Sequence, residues 1–401
     1  MGLPARKNEA KIFPKVRLFV GPRYDSHSKM QMKQHEFKTL WWFVVGVFFI
    51  QAIANGWMFY NYSKSSDDYY HKRAALLRDR TPAQSAYPKN MVILGSSRTE
   101  LGVNAPLIEN SIRQKLSRDF AVINFSVTAC AQESELLYWK RILKECKAPD
   151  MALIEVHPAF LNSKAGADGV EFNSVVWPVE RFLRTDLDYV ESHASNIRPN
   201  IRAEWMKMAF FSFYKNRISL LNSVFPAMVP NEFKGQVSIL DKHGQLIIQD
   251  ELLSSERKAK AMEHTRAQYY HLVQEMDLNS SRTRALRELL QSCAEQNVAV
   301  GLLLMPEGQQ FQSWYGDGVW GKIQKYLQEL AEEFGAEIFN AHEWMNEADF
   351  KDSHHLYQTG ALRFTRRLTD ENILPWVLQR EKNRQKNNPK PISTANKRGM
   401  H

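Results

Sequence analysis

The 401-residue sequence predicts an α/β fold: a parallel sheet, preceded by one N-terminal transmembrane helix and interrupted by a largely helical insertion. Three observations predict it. Short apolar runs alternate with helical periodicity in two stretches, 91–162 and 281–379, the pattern of a sheet built from βαβ units. From about Leu161 to Met276 that alternation stops. Ahead of both stretches, Leu40 to Tyr60 runs for 21 residues without a charge.

In chain order, the uncharged run is long enough to cross a hydrocarbon core as a helix. Trp41 and Trp42 lie at one end and Trp57, Tyr60 and Tyr62 at the other, where aromatic belts form. A buried core helix is the competing reading. A cleavable signal is excluded, because the preceding segment is nearly forty residues long and no small-x-small site comes after the run. Residues 1–39 read as a cytoplasmic basic segment, 40–61 as the membrane helix and 62–90, with Pro82 and Pro88, as a polar stalk. Met91–Leu94 is the first strand and Gly95 closes it. Asn104 caps a helix that carries Pro106 in its first turn. Ala121–Phe125 is a second strand, Glu133–Cys146 an amphipathic helix and Met151–Val156 a third strand. The insertion, 163–280, contains Trp177, Trp205 and the run Phe210, Phe211, Phe213, Tyr214. Packing is the expected role of that run, with a partner or membrane surface as the alternative. Leu246–Ile248 reads as a small extra strand. Then come a helix over Thr283–Glu295, a strand over Val298–Met305 stopped by Pro306, a helix over Val319–Phe334, a strand over Ala336–Phe339 and a last helix over Gly360–Gln379. The rest, 380–401, reads as a basic disordered tail.

Charge and cysteine content remove several function classes. The formal charge is +9, but nine Lys/Arg against three Asp/Glu lie before Leu40, and the tail adds Arg380, Lys382, Arg384, Lys386, Lys390, Lys397 and Arg398. A surplus at the two ends argues against a nucleic-acid-binding core. It also keeps the N-terminus cytoplasmic and places the chain beyond Tyr62 outside, in a cell inner or plasma membrane with an extracytoplasmic domain. Cys130, Cys146 and Cys293 form no C-x-x-C pattern, so no structural zinc site is expected. Cys130 and Cys146, roughly 20 Å apart along an intervening helix, are too far apart to pair. No Walker loop and no G-x-G-x-x-G is present, and His342, Asp349, Asp352, His354 and His355 lack diagnostic metal spacing. Neither a cofactor nor a metal is expected.

The chemistry sits in three pieces. Gly95-Ser96-Ser97-Arg98 comes directly after the first strand, where doubly wound sheets place their sites. Glycine permits a tight turn, and the helix start beyond it offers N–H groups to an oxyanion. Asp352-x-x-His355 supplies a base and its orienting carboxylate from one loop, which a serine nucleophile needs. His354 is a competing base or a substrate contact. The loop Asn124-Phe125-Ser126-Val127-Thr128 can turn a backbone N–H toward the same crevice. Taken singly, each has an ordinary structural reading: a turn serine, a capping carboxylate, a polar loop. Arg98 beside the serine reads as a cation for an anionic substrate group or as a structural ion pair.

Together and in this order, these pieces resemble the SGNH/GDSL hydrolase superfamily. Its first block ends in the nucleophile, matched by Ser97. Its second supplies a backbone donor, usually from glycine, matched by Ser126. Its last is matched by Asp352 and His355, with the run DSHHLYQTGALRFT similar to the family's D-x-x-H-L-x-x-x-G-A-x-x-F/T ending. Ser96 stands where many members carry Asp. Gly-Ser-Ser is similar to a membrane-anchored subset, the DltD-like and alginate-acetylation-like proteins that work with membrane-bound O-acyltransferases. The family's third block, Gly-x-Asn-Asp, is missing. After the third strand stand Glu155, Val156, His157 and Pro158, with Asn162 nearby and His157 as a donor or a structural histidine.

The resemblance implies a flavodoxin-like three-layer fold and catalysis by Ser97, His355 and Asp352. It further implies an oxyanion site at the N–H groups of Ser97 and Ser126, and substrate contacts from Arg98, Asn124 and His354. The implied activity is O-acyl, such as acetyl, transfer to an extracytoplasmic glycan or envelope polymer. The implied partners are a membrane-bound O-acyltransferase, the lipid bilayer and the polymer. A plain carbohydrate esterase and a non-catalytic scaffold of a polymer-export complex are the alternatives. Loss of one oxyanion donor typically costs roughly 100- to 1000-fold in rate, which favours transfer within an assembly over free hydrolysis.

Overall fold

The computed structural model describes residues 34–62, 67–81, 89–164, 181–194, 200–211, 221, 225–228, 240–247 and 252–387. Most of the basic N-terminal segment, the parts of the expected stalk at 63–66 and 82–88, Trp177, Phe213, Tyr214, Ile248 and the tail beyond 387 lie outside them. The chain forms two units, Met1–Ile53 and Ala54–His401.

The first described element is the helix Gln34–Tyr62. Its span Glu36–Trp57 is long and apolar enough to cross a membrane, and none of that span is buried. Trp41, Trp42, Phe43, Phe48, Phe49 and Ile50 are all exposed. A core helix would bury one stripe. That apolar span buries none.

The second unit is built on five parallel strands: β1 Asn90–Leu94, β2 Ala121–Asn124, β3 Met151–Glu155, β4 Ala299–Leu304 and β5 Glu337–Asn340. Their order is β2-β1-β3-β4-β5, the flavodoxin-like doubly wound order. Strands covered on both faces read as continuous apolar runs, which is why Met91–Leu94 and Met151–Ile154 show no alternation. Val92, Leu94, Ile123, Ala152, Ile154, Leu302 and Leu304 face one core with Leu136, Trp139, Leu286, Leu290, Ile323 and Leu327. Met91, Ile93, Val122, Met151, Leu153 and Leu303 face the other with Ile108, Ile112, Phe364, Leu368 and Trp376. The result is a three-layer fold with a helical layer on each side. After β2 the chain crosses back to β3 on the far side of β1, so the crevice opens between the C-terminal ends of β1 and β3.

Four expectations are corrected. Residues 67–81 are not stalk. Asp68–Arg80 is a helix capped by Asp67, whose side chain accepts from the Tyr70 N–H. Tyr70, Ala74 and Leu77 lie in the main core. Their i, i+4, i+7 spacing was hidden by charges that are satisfied internally, as with Arg73 on Glu100 at 3.1 Å. Residues 380–387 are not disordered: a π-helical turn, Thr369–Ile373, leads into a helix Leu374–Asn387. Arg384 pairs there with Asp150, and Arg118 with Glu381. The expected strand at Leu246 is a single antiparallel bridge to Leu240 across a turn at Gly244. Phe210 and Phe211 are exposed rather than packed.

Within the insertion, helices Leu187–Ala194, Ile201–Phe210 and Ser255–Val273 are described. Phe182, Val190, Ile201, Tyr269 and Leu272 cluster with Phe160, Phe311 and Trp314 beside the sheet. Cys130, Cys146 and Cys293 are free thiols.

Candidate active site

The turn after β1 is shaped by one carboxylate. Glu155 closes β3, and its buried side chain accepts from the Ser96 N–H at 2.7 Å, the Ser96 hydroxyl at 3.0 Å and the Thr99 hydroxyl at 2.6 Å. Gly95 is required by this close approach: a Cβ there would lie 2.6 Å from Glu155 Oε2 and 2.8 Å from Thr99 Cβ. Ser96 Oγ also caps the helix Ser97–Gly102 by accepting from the Arg98 N–H at 3.2 Å. In this segment Ser96, Arg98, Thr99 and Glu100 are buried, whereas Ser97 is half-buried.

The second wall is the loop between Phe350 and Leu356, which are joined by an antiparallel bridge. Asp352 Oδ1 accepts from the N–H groups of His354 at 3.2 Å and His355 at 2.7 Å, an Asx-type turn that fixes the carboxylate. Ser353 adopts a left-handed φ of 67°. Its side chain is held by the Phe311 N–H at 3.0 Å and by Glu347 Oε2 at 2.9 Å. From this loop His355 Nε2 reaches Ser97 Oγ at 2.8 Å, and His355 Nδ1 reaches Asp352 Oδ2 at 2.7 Å. With the proton on Nδ1, as the carboxylate acceptor requires, Nε2 is free to accept the serine hydroxyl proton. Burial alone would raise the Asp352 pKa. The nearby His355 and His354 charges and two hydrogen bonds from His355 outweigh it and hold the carboxyl well below the usual range. Asp352 is therefore ionised whenever His355 needs it. The His355 and Asp352 side chains are 23% and 14% exposed, so the hydrogen-bonded chain opens outward at its serine end.

The structure thus brings Ser97, His355 and Asp352 together, and the Ser97 N–H is the first amide of a helix, where no intrahelical acceptor exists. Four other expectations change. The Ser126 N–H donates to Asn124 Oδ1 at 2.9 Å, and the residue is fully buried, so it is not an oxyanion donor. Asn124 is equally buried and its Oδ1 holds that turn, which takes it away from the open side of the crevice. Arg98 is 1% exposed. It donates to Glu307 Oε1 at 3.1 Å, Met305 O at 3.0 Å and Pro306 O at 3.1 Å, clamping the loop after β4 to the nucleophile helix. Its role is structural. His354 is buried against Phe311 and Tyr269, with its ring 4.0 Å from that of His355. It packs behind His355. Asn162 donates to the carbonyls of Leu272 and Glu275 and is likewise structural.

Sequence reasoning did not single out Glu155, Glu307 or Tyr269. For Glu155 a signal existed: one carboxylate ending an otherwise apolar strand. Asp352, His354 and His355 place one ligand atom each within 4.8 Å of one another and form a candidate metal group. The fit is poor, because Asp352 Oδ2 and His355 Nδ1 already share a proton at 2.7 Å.

Strand order and site together define a doubly wound α/β protein with a Ser-His-Asp hydrogen-bonded chain at its switch point. The chain belongs to the family described as protein of unknown function DUF1574, whose model matches residues 42–370. No curated protein matches the sequence. Similar solved structures include the psychrotrophic esterase EstA from Pseudoalteromonas sp., at 10% identity, covering 72% of this chain and 98% of that one with a TM-score of 0.35. TesA is similar at 12% identity, covering 73% and 99% with a TM-score of 0.34. An acetyl-xylooligosaccharide esterase from Geobacillus is similar at 10% identity, covering 70% and 92% with a TM-score of 0.33. The architecture itself rests on strand order and register.

Proposed function

We propose that this protein is a membrane-anchored serine acyl-ester enzyme of the SGNH type. The observation that carries the reading is the continuous chain Ser97 Oγ, His355 Nε2, His355 Nδ1, Asp352 Oδ2, with steps of 2.8 and 2.7 Å. Ser97 Oγ attacks an acyl carbonyl and passes its proton to His355 Nε2, while Asp352 stabilises the imidazolium. The Ser97 N–H stabilises the oxyanion. His355 gives that proton to the leaving oxygen as its bond to the acyl carbon breaks; the acceptor hydroxyl then passes its proton to His355 Nε2 and attacks the Ser97 ester, and His355 returns the proton to Ser97 Oγ as that bond breaks.

For the acceptor we propose a sugar or polyol hydroxyl of an extracytoplasmic glycan or envelope polymer, with acetyl as the representative acyl group and a membrane-bound O-acyltransferase as the supplying partner. The apolar helix and the basic flank before it support this placement in a cell inner or plasma membrane.

The test uses the full chain in membranes. A fluorophosphonate probe labels the wild-type protein, and Ser97→Ala abolishes labelling. In cells Ser97→Ala lowers polymer acylation while the protein stays present. Folded wild-type protein that takes no label and supports acylation regardless of Ser97 would leave only the scaffold reading. Rapid turnover of small acetyl esters without any effect on polymer acylation would identify a plain esterase.

A further inference from the structure

The insertion helix Ile201–Phe210 carries two apolar faces. Ile201, Trp205 and Met208, spaced i, i+4, i+7, make the inner one. Ile201 is buried in the cluster of Phe160, Tyr269 and Phe311, and Trp205 and Met208 pack against that cluster. The Trp205 indole N–H donates to Phe182 O at 2.8 Å. Met206 and Phe210, spaced i, i+4, point away from this face, and Phe211 follows directly. These three are exposed, at 54%, 46% and 51%. The Phe210 and Phe211 rings meet edge to face with centroids 5.0 Å apart, so they form one patch. A surface helix in water turns a polar face outward. This one turns an apolar face outward, with the exposed Lys207 beside it.

One hydrogen bond indicates what covers that face. Asn55 Nδ2 donates to Phe210 O at 2.8 Å. Both residues lie in the same unit, which starts at Ala54. Asn55 also lies in the last turn of the apolar span Glu36–Trp57. A direct hydrogen bond puts its two partners at one depth. The Phe210 backbone therefore stands level with the end of the span, about 3 Å short of Trp57 along the helix axis. That is the depth of the aromatic belt, where amphipathic rings meet headgroups. Phenylalanine and methionine outward with a lysine at the rim is also the composition of a helix lying in the membrane interface. The Lys207 stem follows the apolar surface while its ammonium reaches the headgroups.

Resting on the reading of Glu36–Trp57 as a membrane span, we infer that Met206, Phe210 and Phe211 are seated in the bilayer, at the headgroup–acyl boundary of the leaflet that holds the span's C-terminal end. The occupant is lipid rather than a second protein, because Asn55 of this same chain sets the depth. The contact bears on the candidate site. Through Ile201 the helix backs Tyr269 and Phe311, whose rings pack against His354. A single anchoring helix leaves the α/β unit free to turn about its axis. A second contact with the same leaflet fixes which way the crevice faces.

The test uses the full chain in nanodiscs of phosphatidylcholine and phosphatidylglycerol. The photoreactive residue p-benzoylphenylalanine replaces, one at a time, Met206, Phe210, Phe49 within the span, and Lys115, which is exposed on the helix Ala105–Leu116. The expected result is lipid adducts, read by mass spectrometry, at Met206, Phe210 and Phe49, and their loss at Lys115. Adducts at Phe49 without any at Met206 and Phe210, or adducts at Lys115 equal to those at Phe210, overturn this inference alone. In native membranes, a protein adduct at Phe210 in place of lipid also overturns it and gives the face to a protein partner. No lipid adduct at Phe49 overturns the span, and this inference with it. If the variants at Met206 and Phe210 fail to fold, the wild-type protein decides. Its 13C-labelled Met206 methyl signal, assigned by its loss in Met206→Leu, is broadened by a nitroxide carried on the lipid acyl chain. An unbroadened signal from disc-bound protein overturns the seating of this face.

Discussion

At the scale of single residues, Glu155 holds the turn that carries Ser97. Its carboxylate receives three donors from the turn that presents Ser97. Glu155→Ala leaves those buried donors unpaired, at about 1–3 kcal/mol for each, and releases the turn. A misplacement of about 1 Å costs on the order of 100-fold in rate. The expected outcome is a lowered melting temperature together with a drop in kcat of about that size, whereas Glu155→Gln keeps an acceptor oxygen and recovers most of both. Calorimetry and ester turnover on the same preparations check it; a Glu155→Ala variant with wild-type kcat would remove the positioning role. The three members of the Ser97–His355–Asp352 hydrogen-bonded chain were legible in the sequence because each sits in a short local pattern: Gly-Ser-Ser after a strand, Asp-x-x-His before a helix. Glu155 was not, because its meaning comes from the β1–β3 register, which joins residues about 60 positions apart only once the strand order is known. Arg98, Asn124 and Ser126 misled for the opposite reason. Residue type beside a turn serine does not reveal burial, and all three are buried.

At the scale of elements, the helix Ala105–Leu116 is tied down through Glu109. Its buried carboxylate accepts from Arg80 at 2.6 Å, Arg113 at 3.0 Å and the Val122 N–H at 3.1 Å, and His243 lies 3.4 Å away. Burial would raise the pKa of this group. The close His243 ring, the Val122 hydrogen bond and the Arg80 charge outweigh it and lower the pKa to about 2. A carboxyl depressed in the folded state binds its proton more readily when unfolded. Its stabilising contribution is therefore complete above pH ~4.5 and disappears as the pH falls toward ~2. Glu109→Gln should be less stable at neutral pH and should lose less stability across that acid window, measured by urea unfolding at pH 7, 4.5 and 3. Equal slopes for the two proteins would show that Glu109 is not the group responsible. The same elements explain where the sequence was misleading. The segment from Asp67 to Thr81 looked like stalk because its average is polar. Yet Arg80 belongs to the Glu109 cluster, Arg73 to Glu100, and Asp67 accepts from Arg141 at 2.9 Å. Paired charges carry no signature in composition.

At the scale of the whole molecule, the sheet and its two helical layers were legible from periodicity, since a strand buried on both faces must be apolar throughout. The edge of the α/β unit was not, and its position leads to a sharp expectation. The helix Asp68–Arg80 contributes Tyr70, Ala74 and Leu77 to the main core. Burying such side chains stabilises by about 1.5–3 kcal/mol for a large one. Its Arg73 also donates to Gly244 O at 2.9 Å and Ser126 O at 2.8 Å, so its removal strands Glu100 as a buried unpaired charge. Breaking one such pair costs about 3–5 kcal/mol, a large part of the ~5–15 kcal/mol that a domain has in total. A chain starting at residue 63 should therefore unfold in one cooperative transition and keep Ser97-dependent probe labelling. A chain starting at residue 82 should be aggregated or molten, with no cooperative transition. The two lengths differ by less than twenty residues and both lack the apolar helix, so the contrast isolates Asp68–Arg80. If the shorter chain folded and labelled like the longer one, this helix would be a dispensable connector after all, and the boundary of the catalytic unit would return to the first strand.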